Sequence, residues 1–382
     1  MIDTIALTLP EGSFTILNHD RFSPNTENLF RPPFIKVTGR APFKAVNNPT
    51  KQDREKHGYL PRITLYKAVR TGGFPIFLIV EFSIPKLLYG NNFDEVDESD
   101  FGEVCWKLKK SLLIMGVEIK ESDIISEAQV STIHYSKNII LTDYSIPYSY
   151  TKEISKINVN HLQDINQTDY RNEGHAFKYR SNDFEVIFYD KLIDLMRAKI
   201  SEKRAIEPDN YGQLNLLDEL KRKDPFEVLR MEVRIGSRRK LKQILQKHSL
   251  THVERNFKEL FSREISQKIL LSNLNDIETA YPKVLRSDTE TISEFMTNIQ
   301  VNNPDLKFKA VLEFTGAYAV LKEYGVREFR KLTQRHKNHN WYRFNKAMKQ
   351  IELGETLDVF ETIRTALEDF DKVELVKYQD KM

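Results

Sequence analysis

Val228 to Ile235 reads VLRMEVRI and alternates without a fault, with Leu229, Met231, Val233 and Ile235 on one side and Arg230, Glu232 and Arg234 on the other. Successive side chains of a strand point to opposite faces. The segment therefore specifies a strand with one apolar and one polar face, as an antiparallel sheet with one wet side requires. Two further runs share this property. Gln129 to Leu141 (QVSTIHYSKNIIL) puts Thr132, His134, Ser136 and Asn138 on one face and Ile133, Tyr135, Lys137 and Ile139 on the other. Phe184 to Lys191 (FEVIFYDK) puts Phe184, Val186, Phe188 and Asp190 on one side and Glu185, Ile187, Tyr189 and Lys191 on the other. Shorter strand-like runs come earlier: Ile5 to Leu9, ended by Pro10, then Arg62 to Tyr66 and Ile76 to Phe82 around the hairpin-like Thr71-Gly72-Gly73.

Helical periodicity takes over elsewhere. Asp100 to Met115 carries apolar residues at helical spacing, with Asp100 at the N-cap position and Gly116 as the stop. Residues 192 to 205 read as a basic helix, and the stretch between residues 142 and 183 reads as a polar loop. From about residue 237 the pattern is helical, broken near Pro282, Pro304 and Gly325. Gly316 to Lys331 is a helix, a glycine turn and a second, basic helix, an order found in helix-turn-helix units and in ordinary helix pairs alike. Strands first and helices later predict an α+β fold: a sheet-containing domain over residues 1–250 and a helical domain over 251–382.

Several chemistries are excluded or disfavoured. The 382 residues include one cysteine, Cys105, so no disulfide forms within the chain and a structural zinc site lacks ligands. No P-loop, no dinucleotide-binding glycine fingerprint, no zinc-protease helix and no His-x-His pair is present. No apolar run approaches the ~20 residues of a membrane helix, and no secretory leader is visible. A cytoplasmic chain without a membrane partner is the expectation.

The 58 basic and 55 acidic residues nearly cancel, but they are unevenly placed. Residues 93 to 105 hold six acids and no base; residues 230 to 247 hold seven bases, among them Arg238, Arg239 and Lys240, with one acid; residues 322 to 351 hold nine bases and two acids. Such clusters suit a phosphate-binding surface, though solvated helix faces produce them too. If the three polar strand faces meet in one sheet, a tyrosine, a lysine, a histidine, a glutamate and two arginines converge. That set suits metal-assisted phosphoryl transfer by a tyrosine. A free phenol is ionised to only about one part in a thousand at neutral pH, and a neighbouring cation raises that fraction. A sheet with a merely wet outer face gives the same alternation.

These segments resemble the rolling-circle replication initiators of the filamentous-phage gene II type. The likeness runs through Met1-Ile2-Asp3, Leu7 to Pro10, Tyr59 to Leu65, the string Glu81 to Phe93 (EFSIPKLLYGNNF), Val130 to Asn138, Phe188 to Lys191 and Leu229 to Arg234. It is weaker over Gly316 to Met348. A more distant similarity links the Tyr189-Asp190-Lys191 and Arg230-Met231-Glu232 segments to the Rep-trans plasmid initiators. The resemblance implies an antiparallel-sheet nuclease domain and a metal-dependent, site-specific DNA nickase with strand-rejoining activity, in a bacterial host's cytoplasm. Tyr189 would be the nucleophile and Lys191 its activator or a phosphate clamp. Glu232, His134 and Asp190 would hold a divalent cation, Mg²⁺ or Mn²⁺. Arg230, Arg234, Arg238, Arg239 and Lys240 would contact DNA. The family shows Asp where this chain has His134, and imidazole favours softer ions than Mg²⁺. Implied partners are a double-stranded origin, the displaced single strand, and a host helicase, polymerase and single-strand-binding protein. Two other readings are a non-catalytic origin-binding protein or transcriptional regulator on a degenerate nuclease scaffold, and a scaffold protein whose basic patches meet acidic partners.

Overall fold

The computed structural model describes residues 1–27, 43–68, 75–121, 123–142, 145–157, 159, 167–197, 226–287, 289, 291–334, 339–354 and 360–374. The Thr71-Gly72-Gly73 turn and residues 198–205 of the expected basic helix lie outside them.

Eleven strands are described. They are β1 (Ile2–Pro10), β2 (Phe14–Ile16), β3 (Phe43–Asn47), β4 (Arg62–Lys67), β5 (Ile76–Ser83), β6 (Val117–Ile119), β7 (Gln129–Leu141), β8 (Gln167–Arg171), β9 (Ala176–Ser181), β10 (Phe184–Asp190) and β11 (Glu227–Ile235). Nine form one antiparallel sheet in the order β3-β4-β5-β1-β7-β11-β10-β9-β8, while β2 and β6 pair separately. The helices before β11 are α1 (Lys51–His57), α2 (Ile84–Tyr89), α3 (Phe101–Ile114), α4 (Asp123–Ser126), α5 (Pro147–Ser155) and α6 (Lys191–Arg197). Those after it are α7 (Arg238–Lys247), α8 (Phe257–Leu260), α9 (Arg263–Ala280), α10 (Ile292–Asn302), α11 (Phe308–Gln334), α12 (His339–Met348) and α13 (Glu361–Asp369). The fold is thus mixed α and β, with a large antiparallel sheet and helices towards the C-terminus. The stretch expected to be a polar loop instead holds α5, β8 and β9.

The apolar strand faces meet the helices. Ile5, Leu7, Ile133, Tyr135, Met231, Val233, Val186 and Phe188 are buried in one core with Leu241 of α7, Phe257 of α8, Ile269 and Leu270 of α9 and Ile363 and Leu367 of α13. Burying side chains of this size contributes about 1.5–3 kcal/mol each. A second core, from Val284 to Ile351, gathers Phe295, Ile299, Val311, Phe314, Tyr318, Leu321 and Trp341, with Phe295 and Tyr318 stacked at 3.8 Å. The cores divide the chain differently from the expected boundary at residue 250: α8 and α9 belong to the sheet, and α13 returns to it. A helix following a sheet in sequence buries its apolar stripe on whichever surface is open, so the order of elements alone does not mark the division.

Gly325 breaks α11, with φ 76° and ψ 175°. The adjoining Val326 N–H donates to the Lys156 carbonyl at 2.9 Å, which ties the second helical unit to the end of α5.

Candidate metal and tyrosine site

Register places the polar side chains in a row. Tyr189 lies opposite Arg230, Arg230 opposite Asn138, Glu232 opposite Ser136 and Arg234 opposite His134. Directly opposed residues of an antiparallel pair share a face, so the three polar faces do meet on one side of β10, β11 and β7. The fourth contributor is β1. Its Thr4 faces His134 and its Ile2 faces Tyr135, with a register shift between them. The extra residue in that bulge is Asp3. Strict alternation would set Thr4 and Asp3 on opposite faces; the bulge re-aims the Asp3 carboxylate towards His134 and Glu232.

Asp3, His134 and Glu232 each offer a ligand atom within 4.8 Å of the others. Two carboxylates and an imidazole, drawn from three neighbouring strands, are a donor set that fits a divalent transition ion such as Mn²⁺. Glu232 is the hub. Its Oε1 accepts from Arg234 Nε at 2.9 Å and lies 3.2 Å from His134 Nδ1. Its Oε2 accepts from the Tyr189 hydroxyl at 3.2 Å and from Arg234 Nη2 at 3.1 Å. Burial alone would raise the Glu232 carboxyl, but Arg234 and His134 outweigh it and hold the group well below the usual carboxylate range. Burial, and then the Glu232 charge, push the Tyr189 phenol well above its ordinary value.

Lys191 does not continue the strand. It is the first residue of α6, yet its side chain is buried and its Nζ lies 5.7 Å from the centre of the Tyr189 ring. Burial, reinforced by Arg230, pulls its amine down to about 7. It therefore stands near the tyrosine with a proton it holds weakly.

Two expectations are corrected. Asp190 is not part of the cluster: strand alternation turns it to the far side of Tyr189. There its Oδ1 accepts the Ile193 N–H at 2.9 Å, serving the first turn of α6, and its Oδ2 lies 3.7 Å from His175 Nδ1. Arg230 is not a surface DNA contact, because its guanidinium is buried. Its Nη1 donates to Asp3 Oδ1 at 3.1 Å, its Nε to Asn138 Oδ1 at 2.6 Å and its Nη2 to the Asn92 carbonyl at 2.8 Å. Five donors in a rigid fork allow one side chain to fix the Asp3 carboxylate, hold Asn138 of β7 and brace the loop at Asn92.

Arg234 is the more accessible arginine, with 37% of its side chain exposed, and it also lies 3.6 Å from Glu185. Arg238, Arg239 and Lys240 form the first turn of α7, which the Ser237 hydroxyl caps by accepting the Lys240 N–H. Arg238 and Arg239 are exposed, while Lys240 packs its amine 5.0 Å above the Phe184 ring. Three cations at the positive end of a helix are self-repelling in isolation and favour an anion beside them.

Asp3 was not singled out as a ligand from the sequence. The signal available was its place in the Met1-Ile2-Asp3 motif; the bulge that aims it leaves no mark in the period of the strand. No family model, no curated protein and no solved structure matches the chain. Among the described residues no helix is long and apolar enough to cross a membrane.

Proposed function

We propose that this chain is a metal-dependent tyrosine nickase that initiates rolling-circle replication of a phage or plasmid. The observation that carries the reading is the Tyr189 hydroxyl, bonded to Glu232 within the Asp3/His134/Glu232 cluster and flanked by Lys191. The phenol oxygen attacks the phosphorus of the scissile phosphodiester. The bond from phosphorus to the 3′ oxygen breaks, and a bond from phosphorus to the tyrosine oxygen forms. The phenol proton passes to the neutral Lys191 amine, which is available at and above a pH of about 7, and the departing 3′ oxygen takes a proton from solvent water to leave as a hydroxyl. Rejoining reverses these steps: a 3′ hydroxyl attacks the phosphotyrosine and frees Tyr189, so no nucleotide hydrolysis is needed. A divalent cation bound by Asp3, His134 and Glu232 would polarise the phosphate and favour the ionised phenol. Arg234 and the first turn of α7 supply positive charge for the strand backbone. Unwinding and synthesis fall to a host helicase, polymerase and single-strand-binding protein.

One observation favours a second reading. The Arg234 guanidinium and the His134 ring already contact Glu232 Oε1, which suits a non-catalytic origin-binding protein. The test is a supercoiled plasmid carrying the element's own origin region, incubated with Mg²⁺ or Mn²⁺ beside Tyr189→Phe. Relaxed circles and a covalent protein–DNA adduct, both lost in the variant, are the expected result. Nicking that survives the substitution removes Tyr189 from the mechanism, and binding without scission under either metal selects the second reading.

A further inference from the structure

A cavity of about 500 Å³ lies between the end of α9, the turn of residues 283–286, the second unit of α11 and α12. Its size is that of a pocket for a small organic ligand. Four cations line it: Lys283, Arg286, Arg330 and Lys349. Only Arg286 is neutralised, by Glu278 at 3.5 Å, and that carboxylate also serves Arg364. Among the described residues Lys283, Arg330 and Lys349 have no carboxylate partner. The Arg330 Nε–H is sealed from solvent and, among the described residues, has no hydrogen-bond acceptor. A buried donor without a partner is destabilising, and like charges around one cavity repel. An anion in the cavity relieves both. The other walls include the aromatic Tyr281 and Trp341, the aliphatic Val326 and Met348, the Asn345 amide and the Glu278 carboxylate that pairs with Arg286.

Cations for a phosphate, aromatic side chains for a base and an amide for its edge describe one kind of ligand. We propose that this pocket binds a single nucleotide unit, its phosphate held by Arg330, Lys283 and Lys349 and its base set against Trp341. The pocket shares no residue with the Tyr189 site, so it stands or falls independently of the nickase reading. The unit comes either from a single-stranded nucleic acid or from a free mononucleotide.

Trp341 is also the reporter. The chain has two tryptophans, and Trp106 is exposed, so Trp106→Phe leaves Trp341 as the sole indole signal. In that background a dT oligonucleotide, dTMP and inorganic phosphate are titrated at low salt. The expected result is saturable quenching by a nucleotide probe, with Arg330→Gln weakening binding at least tenfold and Lys349→Gln several-fold. Lys349 is exposed, so its variant keeps the test interpretable should Arg330→Gln fold poorly. Quenching should persist in Tyr189→Phe. Tighter binding of the oligonucleotide assigns a strand as the source; tighter binding of dTMP assigns a free nucleotide. The proposal is overturned by an absence of saturable quenching, by affinities unchanged in both charge variants, or by inorganic phosphate competing as well as dTMP.

Discussion

Replacing Lys191 with methionine removes an amine that burial and the Arg230 guanidinium have pulled from the ordinary lysine value down to about 7. In the unfolded chain the same amine titrates near ~10.4. Between those values the unfolded state binds the extra proton, so this residue makes stability rise as pH increases across that window. A fall of roughly three units at ~1.4 kcal/mol each is ~4 kcal/mol of penalty for holding the side chain buried, felt almost fully near pH ~7. At pH ~9 roughly half of it is gone, because the unfolded chain is then closer to its own pKa. Methionine fills similar space without a charge, so Lys191→Met should be the more stable protein near neutrality. Its advantage should shrink by ~2 kcal/mol between pH ~7 and pH ~9. Urea unfolding of both proteins at matched pH values, with chelator present, reads this difference, and titrating groups remote from Lys191 cancel in the comparison. A gap that stays constant with pH would mean that the amine remains charged in the fold, and would remove Lys191 as a proton acceptor for Tyr189.

Arg230→Met should destabilise by about 3–5 kcal/mol in the same assay, because it leaves the buried Asn138 and the half-buried Asp3 carboxylate beside an apolar chain; a loss under about 1 kcal/mol would contradict the clamp. Millimolar Mn²⁺ should raise the melting temperature of the wild-type chain, by the equivalent of ~2.7 kcal/mol once the ion is a hundredfold above its Kd. Asp3→Asn should remove that response, while Asp190→Asn should keep it. Gly325→Ala should cost about 1–3 kcal/mol, since the positive φ strains any side chain and a Cβ there meets the Lys156 Cα at 3.1 Å. Thermal unfolding that matches wild type would refute that account.

Much of the site was legible because the period of a strand is fixed by covalent geometry. The alternation of Val228 to Ile235 set Glu232 and Arg234 apart from Met231 and Val233, and that of Gln129 to Leu141 put His134 on a polar face. The glycine break near residue 325 was legible for a similar reason: the backbone there takes a conformation that a side chain disfavours. The strands in the polar stretch before β10 are not legible in the sequence, because β9 owes its strand state to pairing with β10 and β8 to pairing with β9, and pairing is not written in their own composition.

The sequence by itself determined which residues lie on which face of β7, β10 and β11, and that Tyr189, Lys191, Glu232 and His134 were the reactive types available. The tertiary structure alone decided that these faces adjoin, through the order β1-β7-β11-β10. It alone turned Asp3 into the cluster through a bulge, buried Arg230 as a clamp and drew α13 back onto the sheet. Alternation is a local property of the chain. Register, bulges and the burial of a charge depend on partners tens to hundreds of residues away, and those partners are chosen by the free energy of the whole packed core.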